Sequence, residues 1–378
     1  MKYFLVVGEA SGDLHASNLM KELLKLDAQA DFRFFGGDKM LAVGGNIVKH
    51  YREMAFMGVI DVVLNARTVL SNLSLCKHEI STWKPDVLIL VDYASFNLRI
   101  AEYVKKNIQD IPVHFYISPK IWAWKEYRIK YFKQYIDKLY VILPFEKDFF
   151  SKHDFPVTYV GNPCLDSVTE FQKNKNSVNN TFREIHELDE KPVIALLPGS
   201  RKGEIERNLP LMFQVASQYE KFQIVVAGAP GIEPGFYDNL MPAKTKLLFG
   251  ETYGLLEIAY VAVVTSGTAT LETALFLTPQ IVCYAVFGGY ISNWIFRTFM
   301  LVPFFSLVNL IAGRMVVPEL MGAFFTKVHL TAAIEPLLSE TPERALMIEG
   351  YKEINKKLGL PGAAKKTASL INSSIILK

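Results

Sequence analysis

The chain has 378 residues, 50% of them hydrophobic and 21% charged, with a formal net charge of +3. That length accommodates two domains with sizeable cores, and that composition excludes a disordered chain. The near-neutral balance gives no footing for a nucleic-acid binder.

The apolar run Tyr3–Val7 predicts a first strand. It is too short for the core of a signal peptide. Gly8-Glu9-Ala10-Ser11-Gly12-Asp13-Leu14-His15 follows, with Asp13 placed to cap a helix whose apolar face is Leu19, Met20, Leu23 and Leu24. A strand, a Gly-flanked loop and a helix begin a doubly wound α/β unit. The G-x-G-x-x-G spacing of dinucleotide binders is absent. On their own, Glu9 and His15 read as loop polarity.

Phe32–Phe35 predicts a second strand ending in Gly36-Gly37, and a helical region covers roughly residues 60–84. Strand Val87–Val91 then carries Asp92 at its carboxyl end, where an open α/β sheet places reactive groups. Asp92 is a candidate base or hydroxyl-orienting acceptor, a role compatible with capping the helix that begins near Phe96. After strand Val113–Ile117, six Lys/Arg lie from Lys120 to Lys138, interleaved with Trp and Tyr. This is the composition of a helix meeting a membrane interface or a phosphate-bearing amphiphile. Strand Leu139–Leu143 leads to Pro144-Phe145-Glu146 and then Gly161-Asn162-Pro163. The Lys/Asn/Ser-rich run Gln172–Asn180 places a linker over 172–190.

The second half repeats the plan. Val193–Leu197 is an unbroken apolar run, which suits a parallel strand covered on both faces. Pro198-Gly199 ends it, and Gly199 lets the backbone approach a ligand. Ser200 and Arg201 then sit past the strand's carboxyl end, where helix N–H groups and a guanidinium favour phosphate oxygens. Strands Gln223–Ala227 and Lys246–Phe249 precede Val261–Val264 and the small-residue turn Ser266-Gly267-Thr268. With the Arg201 loop, those hydroxyls and N–H groups make a diphosphate cradle. Glu272, one turn into the next helix, suits ribose hydroxyls. No residue between Glu272 and Arg297 is charged, but Pro279, Gly288-Gly289 and Ser292-Asn293 break the span, so no membrane helix is predicted there. Trp294–Phe305 is unusually apolar and aromatic. The tail after Pro342 predicts helices. Cys76, Cys164 and Cys283 form no CxxC pair, which predicts free thiols in a reducing compartment, and no His/Cys/acid group has metal-ligand spacing.

Two α/β domains, nucleotide loops in the second and no metal motif describe GT-B architecture: two Rossmann-like doubly wound domains facing a cleft. The local motifs go further. Gly8-Glu9-Ala10-Ser11-Gly12-Asp13, Met57-Gly58, Ser118-Pro119-x-x-Trp122-Ala123-Trp124 and Leu143-Pro144-Phe145-Glu146 come first. Gly161-Asn162-Pro163, Leu197-Pro198-Gly199-Ser200-Arg201, Ser266-Gly267-Thr268-Ala269, Asn309-Leu310-x-Ala312-Gly313 and Glu319 complete the series. By these the chain resembles lipid-A-disaccharide synthase, an inverting glycosyltransferase of outer-membrane lipid assembly. They run in family order across nearly the whole chain, and the first and third together are the most specific.

The resemblance implies a UDP-2,3-diacylglucosamine donor and a 2,3-diacylglucosamine 1-phosphate acceptor. It also implies peripheral association with the cytoplasmic face of the inner membrane, no nucleic acid and no cofactor or metal, and it allows a homodimer. Asp92 is the chosen base, with Glu9 and Asp13 as alternatives. Ser11, Gly12, His15, Trp122, Trp124, Arg128 and Asn162 are the expected binding residues of an acceptor- and membrane-facing domain over 1–171. Gly199, Ser200, Arg201, Ser266, Gly267, Thr268, Glu272, Asn309 and Glu319 are those of a UDP-sugar domain over 191–345. Helices over 346–378 are expected to pack back on the first domain. Three positions depart from the family pattern: Ser95 where many relatives carry a second acid, Asn162 where His is common, and Gly322 where Gln is frequent. Two further readings stay open, a UDP-N-acetylglucosamine 2-epimerase-like enzyme and a non-catalytic lipid or nucleotide binder.

Overall fold

The computed structural model describes residues 1–54, 66–108, 110–174, 178–286 and 300–376. The Met57-Gly58 motif, the start of the expected 60–84 helix, the Gly288-Gly289 break and residues 294–299 lie outside them. The chain forms two compact units, one of Met1–Pro163 with Leu360–Lys378 and one of Cys164–Gly359.

The first unit is built on β1 (Lys2–Val7), β2 (Asp31–Gly36), β3 (Asn46–His50), β4 (Val87–Val91), β5 (Val113–Tyr116), β6 (Lys138–Val141) and β7 (Thr158–Tyr159). They pair in parallel in the order β3-β2-β1-β4-β5-β6-β7. Residues of β1 alternate between two cores. Phe4 and Val6 pack with Ile80, Ile100 and Val104, whereas Tyr3, Leu5 and Val7 pack with Leu19, Met20 and Leu23. The second core also takes Ala363, Ala368 and Ile371 from the last helix, Ala363–Ile376. Each such large apolar side chain, fully withdrawn from water, contributes roughly 1.5–3 kcal/mol.

The second unit carries β8 (Val193–Leu197), β9 (Gln223–Gly228), β10 (Lys246–Phe249), β11 (Ala259–Thr265), β12 (Gln280–Tyr284) and β13 (Glu319–Met321), parallel in the order β10-β9-β8-β11-β12-β13. Counted within each unit, the second sheet runs 3-2-1-4-5-6, the Rossmann order, and the first runs the same with a seventh strand added at its edge. Strand order therefore reverses between β1 and β4 and again between β8 and β11. At such a switch point the flanking loops leave in opposite directions and open a crevice.

Three features differ from the sequence expectation. A short helix, Asp38–Val43, and β3 fill the stretch after Gly37, whose polar NIVKH pattern gives no strand signal. Helices Pro163–Lys173 and Val178–Ile185 occupy most of the stretch read as a linker, with Phe182 buried in the second unit's core. Pro342–Leu358 belongs to the second unit, and only the chain beyond Gly359 returns to the first. The three cysteines are buried and none is in a disulfide. Among the described residues no helix is long and apolar enough to cross a membrane.

Candidate active site

Some of the sequence-predicted residues lie at the two switch points, and others lie on the segments after β5 and β7 and before β13. At the first, β1 ends in Gly8 and Glu9, and β4 ends in Asp92. Glu9 is the N-cap residue of the helix Ala10–Leu26. Asp92 and Tyr93 both hold left-handed backbone, with φ of 45° and 48°. For two consecutive non-glycine residues that costs about 1–3 kcal/mol each. Three anchors hold the turn there. The buried Asn97 amide donates to the carbonyls of Asp92 (2.8 Å), Val91 (3.2 Å) and Val6 (3.4 Å). The Tyr93 hydroxyl donates to Met54 at 2.9 Å. The Tyr93 ring lies where a Cβ on Gly8 would stand, 2.2 Å from it, so only glycine fits position 8.

Asp92 sits in a setting that resists ionisation. Burial, then the charge of Glu9, raise its carboxyl to about 6, against the opposing pull of Lys120 and the Tyr93 N–H. A base poised near 6 is ionised at neutral pH yet basic enough to take a proton. His15 is kept neutral, lowered to about 4 by burial, with its Nδ1 enclosed and unpartnered. Ser11 is exposed, and Gly12 is buried with a Cβ position 2.7 Å from Val7.

Asp13 is corrected. It does not cap its own helix; its carboxylate accepts from Gly37 (2.9 Å), Lys39 (3.0 Å) and Met40 (3.1 Å), capping Asp38–Val43 instead. With both oxygens engaged inside the protein, it is a brace and not a base.

The aromatic-basic segment after β5 divides in two. Trp122 is buried, donates its indole N–H to Glu146 at 3.0 Å and stacks edge-on against Phe145, so it is not a membrane contact. The Glu146 carboxyl is itself fully buried, raised to about 7 by burial against the pull of the Leu143 N–H, the Trp122 indole and the Ile142 N–H. Trp124 and Tyr127, by contrast, are 56% and 61% exposed. Lys125 lies 3.6 Å over the Trp124 ring, and Arg128 donates to Ser95 Oγ at 3.0 Å. Asn162 is buried and donates to Ile142 O at 3.0 Å.

At the second switch point β8 runs into Pro198-Gly199-Ser200-Arg201 and the helix Lys202–Ala216. Gly199 has φ +122°, which only glycine adopts without strain. Ser200 and Arg201 are exposed. Across the crevice, Gly267 caps the helix Thr268–Leu275 with no side-chain cap, and Thr268 is exposed. The Ser266 N–H is not available to a ligand, because it donates to Cys283 in the sheet at 3.0 Å; its hydroxyl donates to Phe305 O at 3.1 Å. Glu272 is raised by burial and accepts from Tyr253 at 2.7 Å, so any ribose hydroxyl would share it with that phenol.

Asn309 and Glu319 are hydrogen-bonded to each other. Glu319 accepts from Phe305 N (3.1 Å), Ser306 N (3.0 Å) and Asn309 Nδ2 (2.8 Å). Fully buried Asn309 uses its other bonds on Val316 and Val317. The two hold the loop whose Phe305 carbonyl meets Ser266, and the Asn309 amide spends both its N–H groups and both oxygen lone pairs within the protein. A buried Asn208, unmarked in the sequence reading, ties this switch point as Asn97 ties the first. It donates to Pro198 O (3.2 Å) and Thr265 Oγ1 (2.9 Å) and accepts from Ala285 N (2.9 Å). Among the described residues no group of three or more His, Cys, Asp or Glu is arranged to hold a metal.

Two Rossmann-ordered units, each with candidate residues at its switch point, define a protein of the GT-B class. Solved structures of that fold cover the whole chain. A Neisseria meningitidis UDP-GlcNAc 2-epimerase matches at 12% identity and TM-score 0.63 over 100% of both chains. The glycosyltransferase SnogD from Streptomyces nogalater matches at 14% identity and TM-score 0.58 over 99% of both. The lipid-A-disaccharide synthetase family model matches residues 3–369. The chain is 36% identical to the lipid-A-disaccharide synthase of Syntrophus aciditrophicus, over 96% of its own length and 95% of the relative's. That of Myxococcus xanthus is 35% identical over 98% and 96%. The chain belongs to the lipid-A-disaccharide synthase family and is a glycosyltransferase.

Proposed function

We propose that the enzyme transfers 2,3-diacylglucosamine from its UDP donor to 2,3-diacylglucosamine 1-phosphate, giving a β-1,6-linked disaccharide 1-phosphate and UDP. Family membership supports the reaction class. The observation that carries the chemistry is Asp92: an acid raised to about 6 on a strained turn at the β1/β4 switch point. In the reaction the acceptor's 6-oxygen bonds to the anomeric carbon and passes its proton to the Asp92 carboxylate. The bond to the diphosphate breaks, and UDP leaves with the electron pair. General-base help of this kind contributes on the order of 10²–10⁴-fold. The Arg201 guanidinium and the N–H groups around Gly199-Ser200 stabilise the charge that grows on the diphosphate.

Acylation of both the donor and the acceptor supports a peripheral position on the cytoplasmic face of the inner membrane. Exposed Trp124 and Tyr127, beside Lys125 and Lys130, supply the aromatic and cationic character that such a surface requires. The test is UDP release with both diacylated substrates, wild type beside Asp92→Asn. Turnover by the wild type and its loss in a folded variant is the expected result. No UDP from the wild type removes the reaction. Conversion of soluble UDP-N-acetylglucosamine without an acceptor replaces it with an epimerase.

A further inference from the structure

The loop assigned to the donor diphosphate already holds an anion of its own. Glu204, in the first turn of Lys202–Ala216, folds back over Gly199-Ser200-Arg201. Its Oε2 accepts from Ser200 N at 3.2 Å, and its Oε1 accepts from Arg201 Nη1 at 3.1 Å. A Cβ on Gly199 would stand 2.9 Å from the same Oε2, so the glycine's missing side chain makes the space that the carboxylate fills. The Glu204 side chain is only 11% exposed, while that of Arg201 is 55% exposed. One carboxylate thus engages both donor types, backbone N–H and guanidinium, on which a diphosphate would draw.

We infer that Glu204 is a positioning residue that stands in for the diphosphate on these donors and competes with it when the nucleotide binds; this rests on the proposed reading of the loop as the donor diphosphate site. A carboxylate and a diphosphate cannot share these donors without repulsion, since like charges this close in a partly buried site oppose each other strongly. Entry of the nucleotide therefore swings Glu204 off Ser200 and Arg201, and its return helps to expel UDP after the sugar has left. The same contacts keep the positive-φ turn at Gly199 formed, so the nucleotide meets a preorganised loop.

The test is calorimetric binding of UDP to the full chain, wild type beside Glu204→Gln, with UDP inhibition and kcat measured on the same preparations. Gln keeps an oxygen for the Ser200 N–H but loses the charge. The expected result is a UDP Kd and an inhibition constant at least five-fold lower in the variant, with kcat reduced because product leaves more slowly. A role confined to stability would move melting and leave the Kd and the KM-against-kcat split in place. UDP binding by the wild type with equal or weaker binding by Glu204→Gln overturns this inference alone and makes Glu204 an ordinary support of Arg201. Failure of the wild type itself to bind UDP removes the nucleotide reading and this inference together.

Discussion

The two switch points share a scaffold and differ in charge. Each lies where strand order reverses, and each is tied by a buried asparagine, Asn97 or Asn208, bonded to the strand ends it joins. The first presents acids, Glu9 and Asp92, and reaches its tight turn with non-glycine residues held in left-handed backbone. The second presents donors, Ser200 and Arg201, and makes its turn with Gly199. The difference suits the chemistry proposed for each. A base needs a side chain on the turn itself, and the strain is borne by packing around it. A diphosphate needs backbone N–H groups approached closely, and a side chain there would be in the way.

The largest expected effect breaks the first point alone. Asp92→Asn should cut turnover by about 10²–10⁴-fold while UDP still binds. Its stability should move the other way. The carboxyl is raised in the folded state to about 6 from an unfolded value near 3.9, so the fold binds the proton more tightly than the unfolded chain does. Asp92 ionisation then weakens the fold as pH rises through 6, and at pH 8 the variant should melt no lower than wild type. A variant that both unfolds and fails would return Asp92 to a structural role. Next come the clasps. Asn97→Ala and Asn208→Ala strip donors from buried acceptors and should each cost about 1–3 kcal/mol in urea unfolding; if either is silent, that clasp is not what holds its switch point.

Arg201→Ala should lower kcat/KM by about ten-fold, about 1.4 kcal/mol, and weaken UDP binding, leaving the pH profile unchanged; intact kinetics would take Arg201 out of the site. The smallest effect sharpens the comparison. kcat/KM should fall about ten-fold per pH unit below about 6 as Asp92 takes up its proton. Asp92 is raised by burial and Glu9, and opposed by Lys120 and the Tyr93 N–H, while its charge is also felt at buried Glu146. Glu9→Gln removes one raising charge, so the acid limb should shift to lower pH by less than one unit. A shift upward would mean that Glu9 acts on the base in some other way.

Much of the candidate site is legible in the sequence because it sits on features with a local signature. VLILV and VIALL are apolar throughout, as strands covered on both faces must be, and the loop after each is therefore at a sheet's carboxyl end. That logic reached Asp92 and Arg201. What it missed depends on partners far along the chain. Asp13 reads as a cap for the helix beside it, yet its donors lie from 24 to 27 residues away. Trp122 and Trp124 share a motif, but the pairing of Trp122 with Glu146 buries one and leaves the other exposed. Asn309 and Glu319 carry the polarity of binding residues and spend it on each other. Asn97 and Asn208 fall inside helices with nothing local to distinguish them from surface amides.

The return of the last helix to the first unit has a bearing on how the protein is made. Ala363, Ala368 and Ile371 complete the layer over Tyr3, Leu5 and Val7. The ribosome must deliver the whole second unit, residues 164–359, between the two parts of that layer. At synthesis rates of 5–20 residues per second this takes about 10–40 s. During that interval the apolar side of β1 and the helix Ala10–Leu26 lacks part of its cover. The unit begun first is thus the one finished last, and the nascent chain carries an unshielded patch until its final helix emerges.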